Sequence, residues 1–424
     1  MAYDIDELIR PDAETEARIA DGIERNRKGT FTVRAKPGER VRAKLVNHKF
    51  RFGCNLFMLD EIPDDAKKND VYKAKIKELF NIATVPFYWD ATEPEEGKTR
   101  YGKDSPKMYR RPPTDLCVEF CEQNGIEPRE HALCYDRFFP DWLSGKPDAE
   151  VKRHLEKRMR EIADRYKDRI PTIEVTNEML WDEGKTQFYH SPDFMTFCYE
   201  KAAEYFPHNK LCVNEWTGAV WDPVASPWNN YYALIENVLL KGGRIDAIGL
   251  QYHLFFRAEN YFTATRRLFD RKHLLAALDT YAAFGKPIHI TEVTVPAFTD
   301  DAAGEASQAD VIERLYKLWF SHPNVEQIVY WNLVDGYAFN AEPGDMSCGE
   351  NYYRGGLLRF DMSEKPAFRR LRHLIKEVWT TDTEATAGAD GAARFRGFYG
   401  DYEVTAGGRT EKVRFDTDGK EAAV

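Results

Sequence analysis

The sequence IEVTNEML, residues 173–180, begins as a run rich in β-branched residues and ends abruptly in an amide and a carboxylate, Asn177 and Glu178. The β-branched part is typical of a strand that is buried on both faces of a parallel sheet. A buried strand gains no stability from a carboxylate at its tip, because a buried charge is costly unless it is paired. The stretch therefore predicts a strand that carries Glu178 to a functional site.

The same succession of apolar strand, polar loop and amphipathic helix repeats on both sides of this stretch. We predict eight strands, at 51–57, 81–87, 131–136, 173–178, 211–216, 246–253, 288–294 and 328–335. We predict eight helices, at 69–80, 115–124, 148–166, 192–206, 229–241, 263–284, 306–321 and 364–379. This alternation indicates parallel βα units, and eight of them indicate an α/β fold, a closed (β/α)8 TIM barrel. An open doubly wound sheet is disfavoured, because no glycine-rich phosphate-binding fingerprint follows the first strand.

Both ends of the chain differ from this pattern. Residues 12–28 predict a polar helix, and residues 30–47 alternate around Pro37-Gly38 as a β-hairpin does. The tail at 392–419 alternates again and predicts a β-meander, which we expect to join the hairpin in one small accessory β-sheet. The chain is therefore divided into an N-terminal extension (1–48), a barrel (49–380) and a C-terminal β-meander (381–424).

Composition disfavours several classes of partner. The net charge of −10 argues against nucleic acid, because phosphate binding needs a basic face. No apolar run approaches the roughly 20 residues of a membrane span, so we expect no membrane partner. The charged start MAYDIDELIRPDAE has no apolar signal-peptide core, and the seven cysteines are scattered. We therefore expect a reduced, cytoplasmic protein, or a secreted or periplasmic one if a signal peptide has been removed; composition leaves the oligomeric state open.

Polar and aromatic side chains recur where the predicted strands end. In barrel enzymes the site is built at the C-terminal ends of the strands, so we expect these side chains to meet at one rim. They are His131 at the start of the third strand, Asn177 and Glu178 on the fourth, Asn214, Glu215 and Trp216 on the fifth, Gln251 and His253 on the sixth, Glu292 on the seventh, and Trp331 to Asp335 on the eighth.

Two of these carboxylates, Glu178 and Glu292, come from strands on roughly opposite sides of the barrel. Two carboxylates across a pocket suffice for glycoside hydrolysis, in which one protonates the leaving oxygen and the other attacks the anomeric carbon or activates water. A separation of about 5–5.5 Å indicates a retaining enzyme, and one of about 6.5–9.5 Å an inverting enzyme. This chemistry requires no cofactor. Acyl transfer is disfavoured because there is no G-x-S-x-G motif, and we expect no metal site because His131, His253 and His289 lie on separate strands.

At these motifs the sequence resembles glycoside hydrolase family 10, the family of retaining endo-β-1,4-xylanases. VTNE (175–178) is similar to the acid/base motif of that family, GLQYH (249–253) to its Gln-x-His strand, and ITEVTV (290–295) to its nucleophile strand. Further similar segments follow the order of the family: WDATEPEEG (89–97), YWNLVDG (330–336) and GGLLRFDMSEKPAF (355–368). The resemblance extends from about Phe52 to Phe368.

The resemblance implies a retaining glycoside hydrolase that takes a carbohydrate or glycoside as its partner, with Glu178 as the acid/base and Glu292 as the nucleophile. It also implies that Asn177 holds the 2-hydroxyl of the sugar at the cleavage point and that His253 donates a hydrogen bond to the nucleophile. The further residues that we expect to bind substrate are His131, Gln251, Trp331, Tyr135, Tyr88 and Trp216.

The sequence departs from the family where the sugars on the non-reducing side of the cleavage point, the glycone side, would bind. In place of Glu-Asn-x-Met-Lys-Trp it has TVPFYW, so that Thr84 and Val85 replace Glu-Asn and Tyr88 replaces the Lys. Other departures are Tyr135 for a Trp, Asp136 for a His, Thr294 for an Asp and Ala338-Phe339 for a Ser-Trp pair. We therefore hypothesise a divergent family member with atypical specificity and a short or blocked glycone side. The alternatives are an ordinary endo-β-1,4-xylanase and a catalytically inactive carbohydrate-binding barrel.

Overall fold

The computed structural model describes residues 10, 12–63, 65–181, 183–257 and 261–424. A helix (Ala13–Arg27) and two strands, β1 (Lys28–Arg34) and β2 (Arg40–His48), come before a closed barrel of eight parallel strands. The barrel strands are β3 (Arg51–Asn55), β4 (Ile82–Pro86), β5 (Glu127–His131), β6 (Thr172–Asn177), β7 (Lys210–Glu215), β8 (Ala247–His253), β9 (Ile288–Thr294) and β10 (Val325–Tyr330). Because β10 pairs with β3, the sheet is closed, and the predicted (β/α)8 TIM barrel is confirmed.

Helices connect successive barrel strands, as the amphipathic patterns predict. Their bounds are Ala66–Leu79, Trp89–Thr92, Thr114–Asn124, Asp148–Tyr166, Phe194–Tyr205, Thr217–Trp221, Asn230–Leu240, Tyr261–Phe269, Arg271–Ala282, Ala302–Ser321 and Pro366–His373, the last continued by a π-helical turn at Leu374–Val378. The single helix predicted at 263–284 is two helices. They are separated at Asp270, whose side chain caps the second helix by accepting hydrogen bonds from the backbone N–H groups of Lys272 and His273.

The third barrel strand is displaced from its predicted position. The strand predicted at 131–136 lies at Glu127–His131, so His131 ends this strand instead of beginning it. The sequence EPREH is charged and contains proline, which favours a loop when it is considered alone. Its polar side chains are nevertheless buried, and Arg129 is paired inside the barrel with Glu174 on β6. The eighth strand ends at Tyr330, five residues before the predicted end at Asp335.

The accessory strands form two sheets rather than the one predicted sheet. After the barrel come β11 (Asp382–Thr386), β12 (Ala392–Phe398), β13 (Gly400–Ala406), β14 (Arg409–Phe415) and β15 (Glu421–Ala423). One sheet has the order β12-β1-β15 and the other β11-β2-β13-β14, so the predicted pairing of β1 with β2 in a hairpin is wrong. The reason is an aromatic layer: Phe31 of the first sheet stacks on Phe415 of the second at 4.6 Å between ring centroids. Strands on either side of Pro37-Gly38 can both bury their apolar faces when they belong to opposing sheets.

Arg27, the last residue of the N-terminal helix, contacts the barrel at the end where its strands begin. Its guanidinium donates hydrogen bonds to the backbone carbonyls of Phe320, His322 and Val325, between the long helix Ala302–Ser321 and β10. The division of the chain at residues 48 and 380 stays a prediction, and residues 1–9 of the predicted extension lie outside the described residues. Within the described ranges, no helix is long and apolar enough to cross a membrane.

Gly53, in the first barrel strand, lies where β3 and β4 pack closely together. A Cβ atom at this position would lie 2.6 Å from Ile82 Cγ2 and 2.7 Å from the carbonyl oxygen of Ile82. We expect Gly53→Ala to lower the free energy of unfolding by about 1–3 kcal/mol, because the barrel must shift to admit the methyl group. The measurement is urea denaturation. Gly102→Ala is the matched control, since the nearest atom to its Cβ would be 4.0 Å away, and equal stability losses in both variants would contradict the prediction.

Candidate active site

The C-terminal ends of the barrel strands open into a cavity of about 570 Å³. All of the residues predicted to act on or bind a substrate line it: Tyr88, His131, Tyr135, Asn177, Glu178, Trp216, Gln251, His253, Glu292 and Trp331. Asn214 and Glu215, also predicted at this rim, have no solvent-exposed surface and lie behind the cavity wall. The structure therefore brings the predicted site residues together, while their individual roles stay predictions.

Glu292, near the end of β9, is held at both carboxylate oxygens. Asn214 Nδ2 donates to Oε1 at 3.0 Å, and His253 Nε2 lies 3.1 Å from Oε2. Only 3% of the residue is exposed. Burial raises the pKa of Glu292, while the nearby imidazole of His131 acts in the opposite direction. The carboxylate is therefore fixed in orientation and largely removed from water.

Burial lowers the pKa of His253 to about 4, so this imidazole is neutral at neutral pH. A neutral imidazole has one N–H, and its two neighbours decide which nitrogen carries it. The Nδ1 atom lies 2.9 Å from Thr294 Oγ1, which can donate its hydroxyl proton to it. The Nε2 atom then carries the hydrogen and donates it to Glu292. Thr294, where the sequence departs from the family Asp, thus still supports the histidine.

Glu178 is the first residue after β6 and faces the cavity with part of its surface exposed. Its φ of 54° lies in the left-handed region, which is uncommon for a residue with a Cβ and is found at sites where the backbone makes a sharp turn. The hydroxyl of Tyr135 donates to Oε2, and Gln251 Nε2 donates to Oε1 at 3.1 Å. Glu178 is therefore less buried than Glu292 and differently hydrogen-bonded.

Glu215, at the end of β7, supports the turn that follows Glu178. Its Oε1 accepts a hydrogen bond from the backbone N–H of Leu180 at 3.0 Å, and its Oε2 lies 3.4 Å from the N–H of Trp216. Burial, with a smaller contribution from the charge of Glu178, raises the pKa of Glu215 to about 8. The sequence predicts Glu215 at the rim of the cavity. In the structure it is buried and supports the turn that follows Glu178.

A line of polar contacts leads from the cavity into the barrel. Tyr88 Oη lies 2.9 Å from His131 Nε2, and His131 Nδ1 lies 2.7 Å from Glu174 Oε1. The second oxygen of Glu174 accepts from Arg129 Nη2 at 2.5 Å. Burial by itself would raise the pKa of Glu174, but His131 and Arg129 outweigh it and lower the pKa. Sequence analysis missed Arg129 and Glu174, although a charged residue inside the β-branched run at 173–178 is a signal that could have found the second.

His131, Glu174 and Glu292 each offer one ligand atom within 4.8 Å of the others, a spacing suited to a metal ion. Both oxygens of Glu174 already accept hydrogen bonds from charged or imidazole groups, and Arg129 supplies a full positive charge. Glu174 is therefore already part of an ion-pair network inside the protein.

Aromatic rings form the wall of the cavity beside His131. Phe57 packs edge-on against Trp331 at 5.0 Å between centroids and against Tyr88 at 5.8 Å. Tyr88 also contacts Phe138 at 4.6 Å. Trp181 and Trp216 line another part of the cavity with their rings 4.6 Å apart.

Of the three residues near position 84 that differ from the family motif, two are buried and one lines the cavity. Thr84 and Val85 have no exposed surface, and Thr84 Oγ1 accepts a hydrogen bond from Arg129 at 3.2 Å. Tyr88 alone of these three lines the cavity. Phe339, the second residue of the altered Ser-Trp pair, also lines it and lies 5.8 Å from Phe138.

Comparison with known proteins adds to this geometry. The model of glycosyl hydrolase family 10 matches residues 44–373. Among curated relatives, anti-sigma-I factor RsgI6 of Acetivibrio thermocellus is 26% identical over 372 residues, which cover 86% of this chain and 42% of that protein. Endo-1,4-beta-xylanase B of Thermotoga neapolitana is 26% identical over 351 residues, which cover 80% of this chain and 91% of that protein. The chain therefore spans less than half of the first relative and most of the second.

Solved structures show the same barrel. Native xylanase 10B from Thermotoga maritima aligns with a TM-score of 0.60 at 21% identity and covers 78% of this chain and 96% of its own. Xylanase 10B from Thermotoga petrophila in complex with xylobiose aligns with a TM-score of 0.61 at 20% identity, covering 78% and 95%. At this level of identity the likeness concerns the fold.

The raised pKa of Glu215 predicts a change in the pH dependence of stability. Its pKa rises from 4.5 in the unfolded chain to about 8 in the fold. Between these two values the folded protein keeps a proton that the unfolded chain has lost, so stability falls as the pH rises through this window, by at most about 1.4 kcal/mol per pH unit. Glu215→Gln keeps the oxygen that accepts from Leu180 and cannot ionise.

We therefore expect the unfolding temperature of Glu215→Gln, relative to wild type, to rise between about pH 5 and about pH 8. Differential scanning calorimetry across this range is the measurement. Glu200→Gln, at an exposed position of the helix Phe194–Tyr205, is the matched control and should follow wild type. Parallel curves for Glu215→Gln and wild type would rule out the proposed titration.

Proposed function

Because the chain belongs to glycosyl hydrolase family 10, and so to the hydrolases of O-glycosidic bonds, we propose that it is a retaining β-glycosidase that acts by double displacement. Glu292 is the nucleophile and Glu178 the acid/base. The observation that carries this proposal is the pair of unlike carboxylates in one cavity: Glu292 is buried and fixed at both oxygens, whereas Glu178 is partly exposed at the cavity surface.

Each carboxylate has one proposed role in each of the two displacement steps. Glu178 gives its proton to the glycosidic oxygen while a Glu292 oxygen attacks the anomeric carbon, and the aglycone leaves as an alcohol. Water then attacks the same carbon, its proton passes to Glu178, and the ester to Glu292 breaks. In the ester Glu292 carries no negative charge, so it does not repel the carboxylate of Glu178 in the second step.

Asn177 is the residue proposed to hold the 2-hydroxyl of the sugar. Its Oδ1 accepts hydrogen bonds from Asn214 Nδ2 at 2.9 Å and from Gln251 Nε2 at 3.1 Å. With the oxygen occupied twice, the NH2 group is the end of the amide that can donate to a substrate hydroxyl. Trp331 provides an apolar face in the same cavity.

A short glycone side with atypical specificity is the finer part of the proposal. It is supported by the aromatic packing around Tyr88, which contacts Phe138, and by the contact of Phe138 with Phe339. It is also supported by the burial of Thr84 and Val85, which leaves them unable to meet a sugar hydroxyl. An ordinary endo-β-1,4-xylanase, the activity named for the Thermotoga neapolitana relative, is the alternative.

A catalytically inactive carbohydrate-binding barrel is the second candidate. It is favoured by one observation, namely that the matching segment also occurs in a protein named as an anti-sigma factor. The presence of both carboxylates, with Asn177 and His253 in hydrogen-bonding contact with the groups around them, favours the enzyme instead.

Removal of Glu292 and removal of Glu178 should have different effects on turnover, because the two carboxylates have different proposed roles. We expect Glu292→Ala to lose turnover of aryl β-glycosides by orders of magnitude, because no nucleophile remains. We expect Glu178→Ala to lose roughly 10²–10⁴-fold on alkyl glycosides, which need protonation of the leaving group, and much less on dinitrophenyl glycosides. Azide should restore the turnover of Glu178→Ala with dinitrophenyl substrates. Water needs a general base to attack the ester, and this variant has lost it, whereas azide attacks without one.

Glu200→Ala, at an exposed position, is the control and should keep wild-type rates. Wild-type activity in Glu292→Ala would disprove the assignment of the nucleophile. Silence of the wild type on every β-glycoside of the panel, with sugar binding intact, would favour the inactive barrel.

The stereochemistry of the product tests the retaining mechanism separately. We expect the β-anomer to appear first in a proton NMR time course, because two displacements at the anomeric carbon restore its configuration. The α-anomer should then accumulate only at the rate of spontaneous mutarotation. An α-anomer as the first product would show that the enzyme inverts.

A further inference from the structure

We propose that the glycone side of the cavity holds a carboxylate-binding subsite formed by Arg110 and Arg111, which selects a hexuronic acid unit. This proposal rests on the proposed glycosidase function and names its class of substrate. Both arginines line the cavity on a loop between the short helix Trp89–Thr92 and the helix Thr114–Asn124.

Arg111 carries a charge that the described part of the protein does not pair. Its guanidinium carbon lies 3.9 Å from the centroid of Tyr88, so the group stacks on the wall of the cavity. One N–H donates to the backbone carbonyl of Arg110 at 3.0 Å. Among the described residues, no carboxylate oxygen lies within 4.0 Å of its nitrogens. Burial lowers the pKa of Arg111, which is the effect of an environment that does not compensate the charge.

Arg110 is fixed but also lacks a carboxylate partner in the described ranges. Its Nη1 donates to Asn332 Oδ1 at 3.2 Å and to the backbone carbonyl of Tyr337. Its Nε is buried and has no hydrogen-bond partner in the described part of the protein. Its φ of 61° lies in the left-handed region, where a side chain is strained. Two adjacent arginines therefore line one cavity, and among the described residues neither has a carboxylate within ion-pair distance.

The other arginines near the site have partners, which sets Arg110 and Arg111 apart. Arg137, also in the cavity lining, lies 3.2 Å from a carboxylate oxygen of Glu183. Arg129, inside the barrel, is paired with Glu174. A guanidinium without such a partner matches the planar, two-oxygen geometry of a ligand carboxylate.

The acidic groups nearest to these arginines are already engaged or are not in contact with them. Glu350 accepts from Asn332 Nδ2 at 2.9 Å and from the backbone N–H of Phe339 at 3.4 Å. Asp90 is largely buried, and burial raises its pKa. Both influence Arg111 through space, but neither forms an ion pair with it within 4.0 Å. A bound carboxylate would supply the contact that these two side chains do not make.

Contacts through Tyr88 connect Arg111 with the groups around the proposed cleavage point, and the resemblance at position 88 assigns this end of the cavity to the glycone. Arg111 stacks on Tyr88, Tyr88 Oη contacts His131 Nε2, and His131 Nδ1 lies 3.9 Å from Glu292 Oε1. The guanidinium is therefore one aromatic ring away from the groups around the nucleophile. Tyr88 stands where the family has a cationic Lys, so Arg111 restores a cation here from a different loop. If Arg111 only replaced that Lys, it would bind neutral hydroxyls and show no preference for an acid.

Isothermal titration calorimetry with two methyl β-glycosides separates these cases. Methyl β-D-glucuronide and methyl β-D-glucoside differ only in a carboxylate against a hydroxymethyl group. We expect wild type to bind the glucuronide roughly tenfold or more tightly, and to lose this preference when the ionic strength rises from about 0.05 to about 0.5 M. We expect Arg111→Gln to bind both sugars equally and Arg111→Lys to retain part of the preference.

Arg137→Gln is the matched control, because it removes a cavity arginine that is already paired, and it should keep the preference. Thermal unfolding of each variant verifies that it is folded before titration. Equal binding of the two sugars by wild type, or an unchanged preference in Arg111→Gln, would overturn the subsite. Hydrolysis of both sugars is assayed separately from binding. A glucuronide preference without any hydrolysis would reject the glycosidase and leave the subsite standing, and hydrolysis without the preference would do the reverse.

Discussion

A carboxylate with no exposure to solvent, Glu174 in the middle of β6, is the group on which the order of the site depends. An unpaired charge at this depth would cost several kcal/mol, so the barrel must supply its partners. Arg129 pairs with one oxygen, while His131 and Asn214 Nδ2, at 2.7 and 3.3 Å, contact the other. The positions of these three side chains on neighbouring strands are therefore set by the need to satisfy Glu174.

The same partners carry this order to the cavity surface. Asn214 donates to Asn177 and Glu292 as well as to Glu174, so one amide connects the residue proposed to hold the sugar with the proposed nucleophile. His131 contacts Glu174 with one nitrogen and Tyr88 with the other, so its ring orientation is fixed. A preorganised site of this kind needs little rearrangement when charge develops on the substrate. The polar interior of the barrel thus prepares the chemistry that the rim performs.

The sequence predicts the barrel well where local pattern and burial agree. The strand predicted at 173–178 lies at Thr172–Asn177, because β-branched residues suit a buried strand. It fails at EPREH, where buried charges look like a loop until their partners on another strand are known. It fails again at β1, whose partner β12 lies more than 350 residues away, where local alternation cannot identify a pairing. The cavity residues could be predicted because parallel strands end at one rim, but Arg129, Glu174 and the support given by Glu215 depend on contacts across the barrel.

The residues proposed for bond cleavage and the residues proposed to choose the substrate stand on different parts of the fold. The groups proposed for bond cleavage stand at or just beyond strand ends, where the closed sheet leaves few positions for a side chain. The groups proposed to choose the substrate, Arg110, Arg111, Phe138 and Phe339, stand on connecting segments, which tolerate change because few backbone hydrogen bonds constrain them. Under this proposal the paired carboxylates are kept, while two arginines on a loop take the place of the single cation that the family resemblance leads us to expect at position 88. Tyr88 contacts both groups of residues. Its hydroxyl meets His131, next to the residues proposed for bond cleavage, and its ring meets Arg111, which is proposed to choose the substrate.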